Sequence, residues 1–151
     1  MEKFIIVAGS PNSGKTISTN MVIEKLIANG AIIDEYPTGS SVEFWKENNM
    51  KKGGTVILGF NGKRIAIITY GDTVGDIEPF FKLPNVLTCD VIICCSHATR
   101  GRKVFTYFHN YIKTNIDLTK TKIVPIHKNF LCGDQHDVEN ECTANLIIDL
   151  L

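Results

Sequence analysis

The chain has 151 residues, 44% of them hydrophobic, which suffices for one core without disulfides or metal, so residues 1–151 are expected to form a single domain. Its 16 basic and 16 acidic side chains cancel, which excludes a global field drawing the protein onto nucleic acid or an anionic membrane. No apolar run reaches the length of a membrane span, MEKFIIVAGS runs straight from a short strand into a glycine loop, and the cysteines (Cys89, Cys94, Cys95, Cys132, Cys142) form no CxxC pair and read as reduced thiols, so a cytoplasmic protein is expected.

KFIIVA reads as a buried strand, and it meets GSPNSGKT, Gly9 to Thr16. A helix from Lys15 to Asn29 follows, with Met21, Val22, Leu26 and Ile27 near helical spacing and a stop at Gly30. AIIDEY is a short second strand closed by Pro37, and SVEFWKENNMKK is a short helix or irregular crossing capped by Ser40 or Ser41. TVILGF and RIAIITYGD flank an Asn-Gly dipeptide, which supplies the positive φ angles of a tight hairpin turn and makes the two strands antiparallel neighbours.

VGDIEPFFKLP reads as a short helix ending before Pro84, and DVIICCSH is apolar enough for a central strand covered on both faces. TRGRKVFTYFHNYIKTN gives a helix with Val104, Phe108, Tyr111 and Ile112 along one side. TKIVPIHKNF gives a last strand whose Pro125 argues for an edge or bulge, and VENECTANLIIDLL closes the chain as a helix. The alternation of strands and helices predicts a three-layer α/β domain with a mostly parallel sheet and one antiparallel strand from the hairpin. Cys132, His136 and Cys142 form the nearest metal-like grouping, but it lacks a fourth ligand and reads as ordinary thiols rather than zinc.

GSPNSGKT fills the pattern G-x-x-x-x-G-K-[ST], with the strand before and the helix after that give the pattern meaning. Successive N–H groups of Asn12 to Thr16 can turn inward around an anion, with the positive end of the helix facing the same point. Gly14 allows close approach to a phosphate, Lys15 can extend back to the β and γ phosphates, and the Thr16 hydroxyl can serve Mg2+. On Gly9, Gly14, Lys15 and Thr16 after FIIVA, the chain resembles the P-loop NTPase superfamily. That resemblance implies a three-layer P-loop NTPase fold and a phosphate-binding loop of Gly9, Pro11, Asn12, Ser13, Gly14, Lys15 and Thr16.

A P-loop protein takes a carboxylate for Mg2+ from the end of a second apolar strand near the loop. Asp72 lies at the carboxyl end of RIAIITYGD, where ligands bind in open α/β sheets, whereas Asp90 precedes VIICC and belongs to the opposite edge. The alternative for Asp72 is a turn-forming role after Gly71. The hairpin leading into DTVG also resembles the arrangement in small GTPases, which would make Asp72 and Gly75 a nucleotide-sensing pair. The guanine motif N-K-x-D is not met, because His127 stands for the Asn and Phe130 for the Asp, and ATP is expected rather than GTP.

SHATRGRK places Arg100, Arg102 and Lys103 after the central strand, at the head of a helix. Arg100 or Arg102 is expected either to stabilise charge on a transferring phosphoryl or to clamp an acceptor, the alternative being a solvated basic turn. Ser96, His97 and Thr99 add hydrogen-bonding groups, while Tyr36, Phe44 and Trp45 fit core packing better than base contacts. The expected ligands are Mg2+ and a nucleoside triphosphate, with a phosphate acceptor or a protein partner in addition. Two functions stand open: hydrolysis or phosphoryl transfer, with Lys15, Asp72, Arg100 and Arg102 catalytic and Thr16 and Asp72 serving the metal, or a nucleotide-dependent switch in which DTVGDIEPFF changes order.

Overall fold

The structure, a computed structural model, describes residues 1–35, 54–97, 102–129 and 133–151. β1 (Lys3–Gly9) leads through the loop of residues 10–14 into α1 (Lys15–Ala28), and Asn29, expected as the last helical residue, is its C-cap. β2 (Ile32–Glu35) is the short second strand. The crossing SVEFWKENNMKK, with Phe44 and Trp45, and Tyr36 before it, lies outside the described residues.

β3 (Thr55–Phe60) and β4 (Lys63–Ile68) form the antiparallel hairpin, with Asn61 and Gly62 at φ of 50° and 76° in the turn as the Asn-Gly dipeptide predicts. α2 (Val74–Phe81) is capped by Thr73, and a single 3-10 turn at Val86–Thr88 precedes β5 (Val91–His97), which is buried along its whole length. α3 (Arg102–Asn115), β6 (Lys122–Lys128) and α4 (Asp134–Asp149) complete the described chain. The last helix starts one turn before the expected Val138, because Asp134 and Asp137 suit the positive end of a helix.

The six strands form one sheet in the order β2-β3-β4-β5-β1-β6. β4, β5, β1 and β6 pair in parallel, and β3 is antiparallel to both β2 and β4, so β3 alone opposes the other five. β6 stands at an edge, which suits Pro125 because an edge strand can do without one ladder N–H.

Side chains alternate between the two faces of each strand. Ile5, Val7, Ile65, Ile67, Ile93 and Cys95 pack against Val22, Ile23 and Leu26 of α1 and Ala144 and Ile147 of α4. Phe4, Ile6, Ala66, Ile68, Ile92 and Cys94 pack against Ile77, Phe80 and Phe81 of α2 and Val104 and Phe108 of α3. The result is three layers, with α1 and α4 on one face and α2 and α3 on the other. An aromatic group of Phe4, Phe81 and Phe108, with ring centroids 5.7 to 6.2 Å apart, anchors the second face.

Register brings the chemistry to one edge. Gly9 pairs with His97 of β5 and Lys128 of β6, so β1, β5 and β6 finish level, and β4 runs in the same direction toward the same edge. Asp90 belongs to the other end, as expected: its Oδ2 accepts the Arg64 N–H at 2.9 Å and its carbonyl accepts from Glu2 and Lys3, a purely structural set of bonds. Among the described residues no helix is long and apolar enough to cross a membrane.

Candidate functional site

At the carboxyl edge of the sheet lies a pocket of about 300 Å³, lined by Asn12 to Ile17, Tyr70, Gly71, Asp72 and His136. Its floor is the loop between β1 and α1. Asn12 and Gly14 both take positive φ, 60° and 79°, so the chain reverses twice around Ser13. Backbone that alternates hands in this way turns successive N–H groups toward one point, and the first N–H groups of α1 have no carbonyl one turn behind them to accept their bonds. The Ser13 N–H is taken by the Ser10 carbonyl at 3.3 Å, so what faces the pocket from the loop is chiefly the positive end of α1 with its first amides.

Lys15 is the charge of that floor. Its side chain curls back over the loop, and its buried ammonium donates to the Ser10 carbonyl at 2.9 Å and the Gly9 carbonyl at 3.2 Å. Nζ also stands 3.7 Å from Oδ1 of Asp72, a carboxylate that remains 62% exposed. The structure thus brings Asp72 to the loop, although β5 stands between β1 and β4 and β4 itself ends at Ile68. The residues after β4 reach back over the end of β5. Gly71 makes this passage possible: a Cβ there would lie 2.0 Å from the Cys95 carbonyl oxygen.

Thr16 lines the same pocket as Asp72, which gives two hard oxygen donors within one cavity. Pro11 is exposed at the outer bend of the loop and does not line the pocket. Ser13 is fully buried, and its Oγ has no hydrogen-bond partner among the described residues; the same holds for Ser96 Oγ at the end of β5. His97 is buried beside it, and Thr99 and Arg100 lie outside the described residues. Arg102 is the first residue of α3, the helix that follows β5 from this edge. Lys128, in the last-strand stretch compared with N-K-x-D, is committed elsewhere: its ammonium bonds Glu139 at 2.8 Å and Thr143 at 3.2 Å. Phe130 lies outside the described residues.

Three participants were not legible in the sequence. Tyr70 joins the pocket wall, and burial, followed by the nearby Asp76 charge, raises its phenol pKa so that it stays neutral. His136, from the first turn of α4, joins the wall too, with a buried Nδ1 that has no partner among the described residues. Asn140, one turn further on, accepts from Ser18 Oγ at 3.1 Å and packs against Gly14, which ties α4 to the head of α1. His136 was noted only beside Cys132 and Cys142; Cys142 is exposed on α4, and Cys132 lies outside the described residues. Nothing local in the sequence marks these three, since their places depend on how α4 and the end of β4 pack.

Cys95 lies just behind the loop, within 3.7 Å of Thr19 Oγ1. Burial, above all, pushes its thiol up to about 12, only partly offset by the Thr19 contact and the Lys15 charge, so it is a packing group and not a nucleophile at neutral pH. Compared with known protein families, curated proteins and solved structures, the chain matches none of them.

Proposed function

We propose that the pocket binds the phosphate tail of a nucleoside triphosphate together with Mg2+, and that the chain is a P-loop NTPase fold acting by hydrolysis or phosphoryl transfer. The observation that carries the reading is the meeting of Lys15 and Asp72 at 3.7 Å over a loop that takes positive φ at Asn12 and Gly14 just before the start of α1. A loop that merely turned the chain would have no use for a cation held over it by two carbonyls with a carboxylate from the segment after β4 beside it.

The ion pair is a resting arrangement, because with Asp72 largely exposed it is worth little and yields easily. Incoming phosphates would compete for the Lys15 ammonium and leave the Asp72 carboxylate free to accept another partner. Thr16 and Asp72 would hold Mg2+, directly or through water, and the ion supplies neutralisation of charge on the β and γ phosphates. Arg100 and Arg102 are the candidates for the developing charge or for an acceptor, and Ala at either should lower turnover far more than affinity if it acts in the transition state. With no carboxylate in the guanine-reading position, ATP is favoured over GTP as the nucleotide.

The test is ATP binding and hydrolysis with Mg2+. Lys15→Ala should lose most nucleotide affinity and the thermal stabilisation by ATP and Mg2+ while keeping its circular dichroism spectrum. Asp72→Asn should lose the Mg2+-dependent turnover, and Asp90→Asn should keep it. Undiminished turnover by Lys15→Ala would overturn the assignment. A second reading, a switch read by a protein partner, is favoured by one observation: Asp72 is directly followed by Thr73, the cap of α2, so a displacement of Asp72 pulls on that helix.

A further inference from the structure

The chain is neutral overall, but its charge is divided between helices on opposite faces of the sheet. α3 carries Lys103 and Lys113 with no acidic residue, whereas α4 carries Asp134, Asp137 and Asp149, with no Lys or Arg, besides Glu139 and Glu141, which pair with Lys128 and Lys25. Each helix also leaves apolar surface uncovered. Between α3 and β6 runs a groove of about 530 Å³, almost wholly apolar, formed by Phe105, Phe108 and Ile112 against Leu118, Ile123 and Pro125, with His109 and Lys113 at its margin. Phe105 and Leu118 in it are 54% and 57% exposed. On α4, Val138, Cys142 and Leu146 fall at i, i+4 and i+8 and form an exposed stripe beside the acidic side chains, with Val138 63% exposed.

We propose that the α4 stripe of one copy seats in the α3/β6 groove of the next, so that the protein assembles head to tail. The occupant is a second copy because the chain itself supplies the complement in both respects: an acidic helix with an apolar stripe for an apolar groove that has Lys113 at its margin and runs along a helix without acidic residues. Isolated exposed apolar side chains need no explanation, but a groove of this size and a stripe of matching character and opposite charge do. The groove opens on the face of α2 and α3 and the stripe on the face of α1 and α4, so the two patches point away from each other across the sheet. One pair cannot satisfy both patches in both copies, and the contact is heterologous, repeating until a ring closes or a filament grows.

The experiment is sedimentation velocity of the nucleotide-free chain in reductant, which keeps Cys142 from cross-linking. Average mass should rise past the dimer with concentration at low salt and fall at 0.5 M NaCl, where charge attraction is screened. Phe105→Asp and Val138→Arg, both at exposed positions that leave the core intact, should each sediment as monomers. Mixed at equal amounts they should form a one-to-one dimer and nothing larger, because each variant retains the patch the other has lost. A wild type that stays monomeric at low salt, or a mixture that stays monomeric, would overturn the proposal. So would a monomeric wild type that co-sediments with phosphatidylserine vesicles, which would give the groove to a membrane surface.

Discussion

Gly14 answers to two independent demands, and both can be tested by substitution. It sits at φ +79°, where a side chain costs about 1–2 kcal/mol, and a Cβ would lie 2.0 Å from Asn140 Oδ1. Gly14→Ala should therefore destabilise the fold by at least that amount and weaken nucleotide binding, since the loop amides move with it. Asn140→Ala alone should also destabilise, through loss of the Ser18 hydrogen bond. In the Gly14→Ala background the same change should cost much less or be favourable, because it removes the clash, so urea titrations of the four proteins should give a coupling energy well away from zero. Strict additivity would mean that the loop and α4 do not press on each other. The meeting of Lys15, Thr16 and Asp72 in one pocket was legible: Lys15 and Thr16 from their place after a strand, and Asp72 from its place after an apolar strand running to the same edge. Asn140 and His136 were not, because Asn140 meets Ser18 across a sequence separation of 122 residues and no local pattern encodes that meeting.

Elements were read correctly where periodicity was long and the ends carried their own signals. The Asn-Gly hairpin between β3 and β4 and the fully buried β5 follow directly from turn chemistry and an unbroken apolar run. The start of α4 was misplaced because GDQHD carries turn-forming residues and offers no apolar period. The missing turn is the one that delivers His136 to the pocket. α2 illustrates how an element end couples to the site. Thr73 accepts the Asp76 N–H at 3.3 Å and donates its hydroxyl to Asp76 Oδ2, which accepts the Thr73 N–H at 2.8 Å in return. This reciprocal cap has to hold a helix only eight residues long that contains Pro79. Thr73→Ala should cost about 1 kcal/mol of stability, measured by urea unfolding, and should raise amide exchange across Val74–Phe81. If α2 is the part of a switch that responds to nucleotide, Mg2+ and ATP should change exchange in that helix in the wild type, and the capless variant should lose the difference.

At the scale of the whole molecule, the three layers and the single opposed strand were legible from the alternation of elements, but the strand order was not. Parallel strands are joined by crossings that leave neighbours unspecified, and the chain places β5 between β1 and β4. That placement buries the Cys94-Cys95 pair in the middle of the sheet, where burial raises both thiols well above their ordinary value of 9.0, Cys95 to about 12. Raised acids of this kind stabilise the fold fully below the unfolded value and lose that contribution as pH climbs from 9 toward 12, because the unfolded chain releases protons that the folded chain keeps. Tyr70, Tyr107 and Tyr111, raised chiefly by burial, act with the same sign above pH 10. The urea midpoint in reductant should thus be level from pH 7 to 8.5 and fall by pH 10, with Cys95 contributing on the order of 1 kcal/mol to the loss. Cys95→Ala should be less stable than the wild type at pH 7.5, since it leaves a small cavity behind the loop. It also removes the titrating group, so its deficit should shrink steadily toward pH 10. A deficit constant across that range would show that Cys95 ionises no differently in the folded and unfolded chain, and that the centre of the sheet is not as dry as its packing implies.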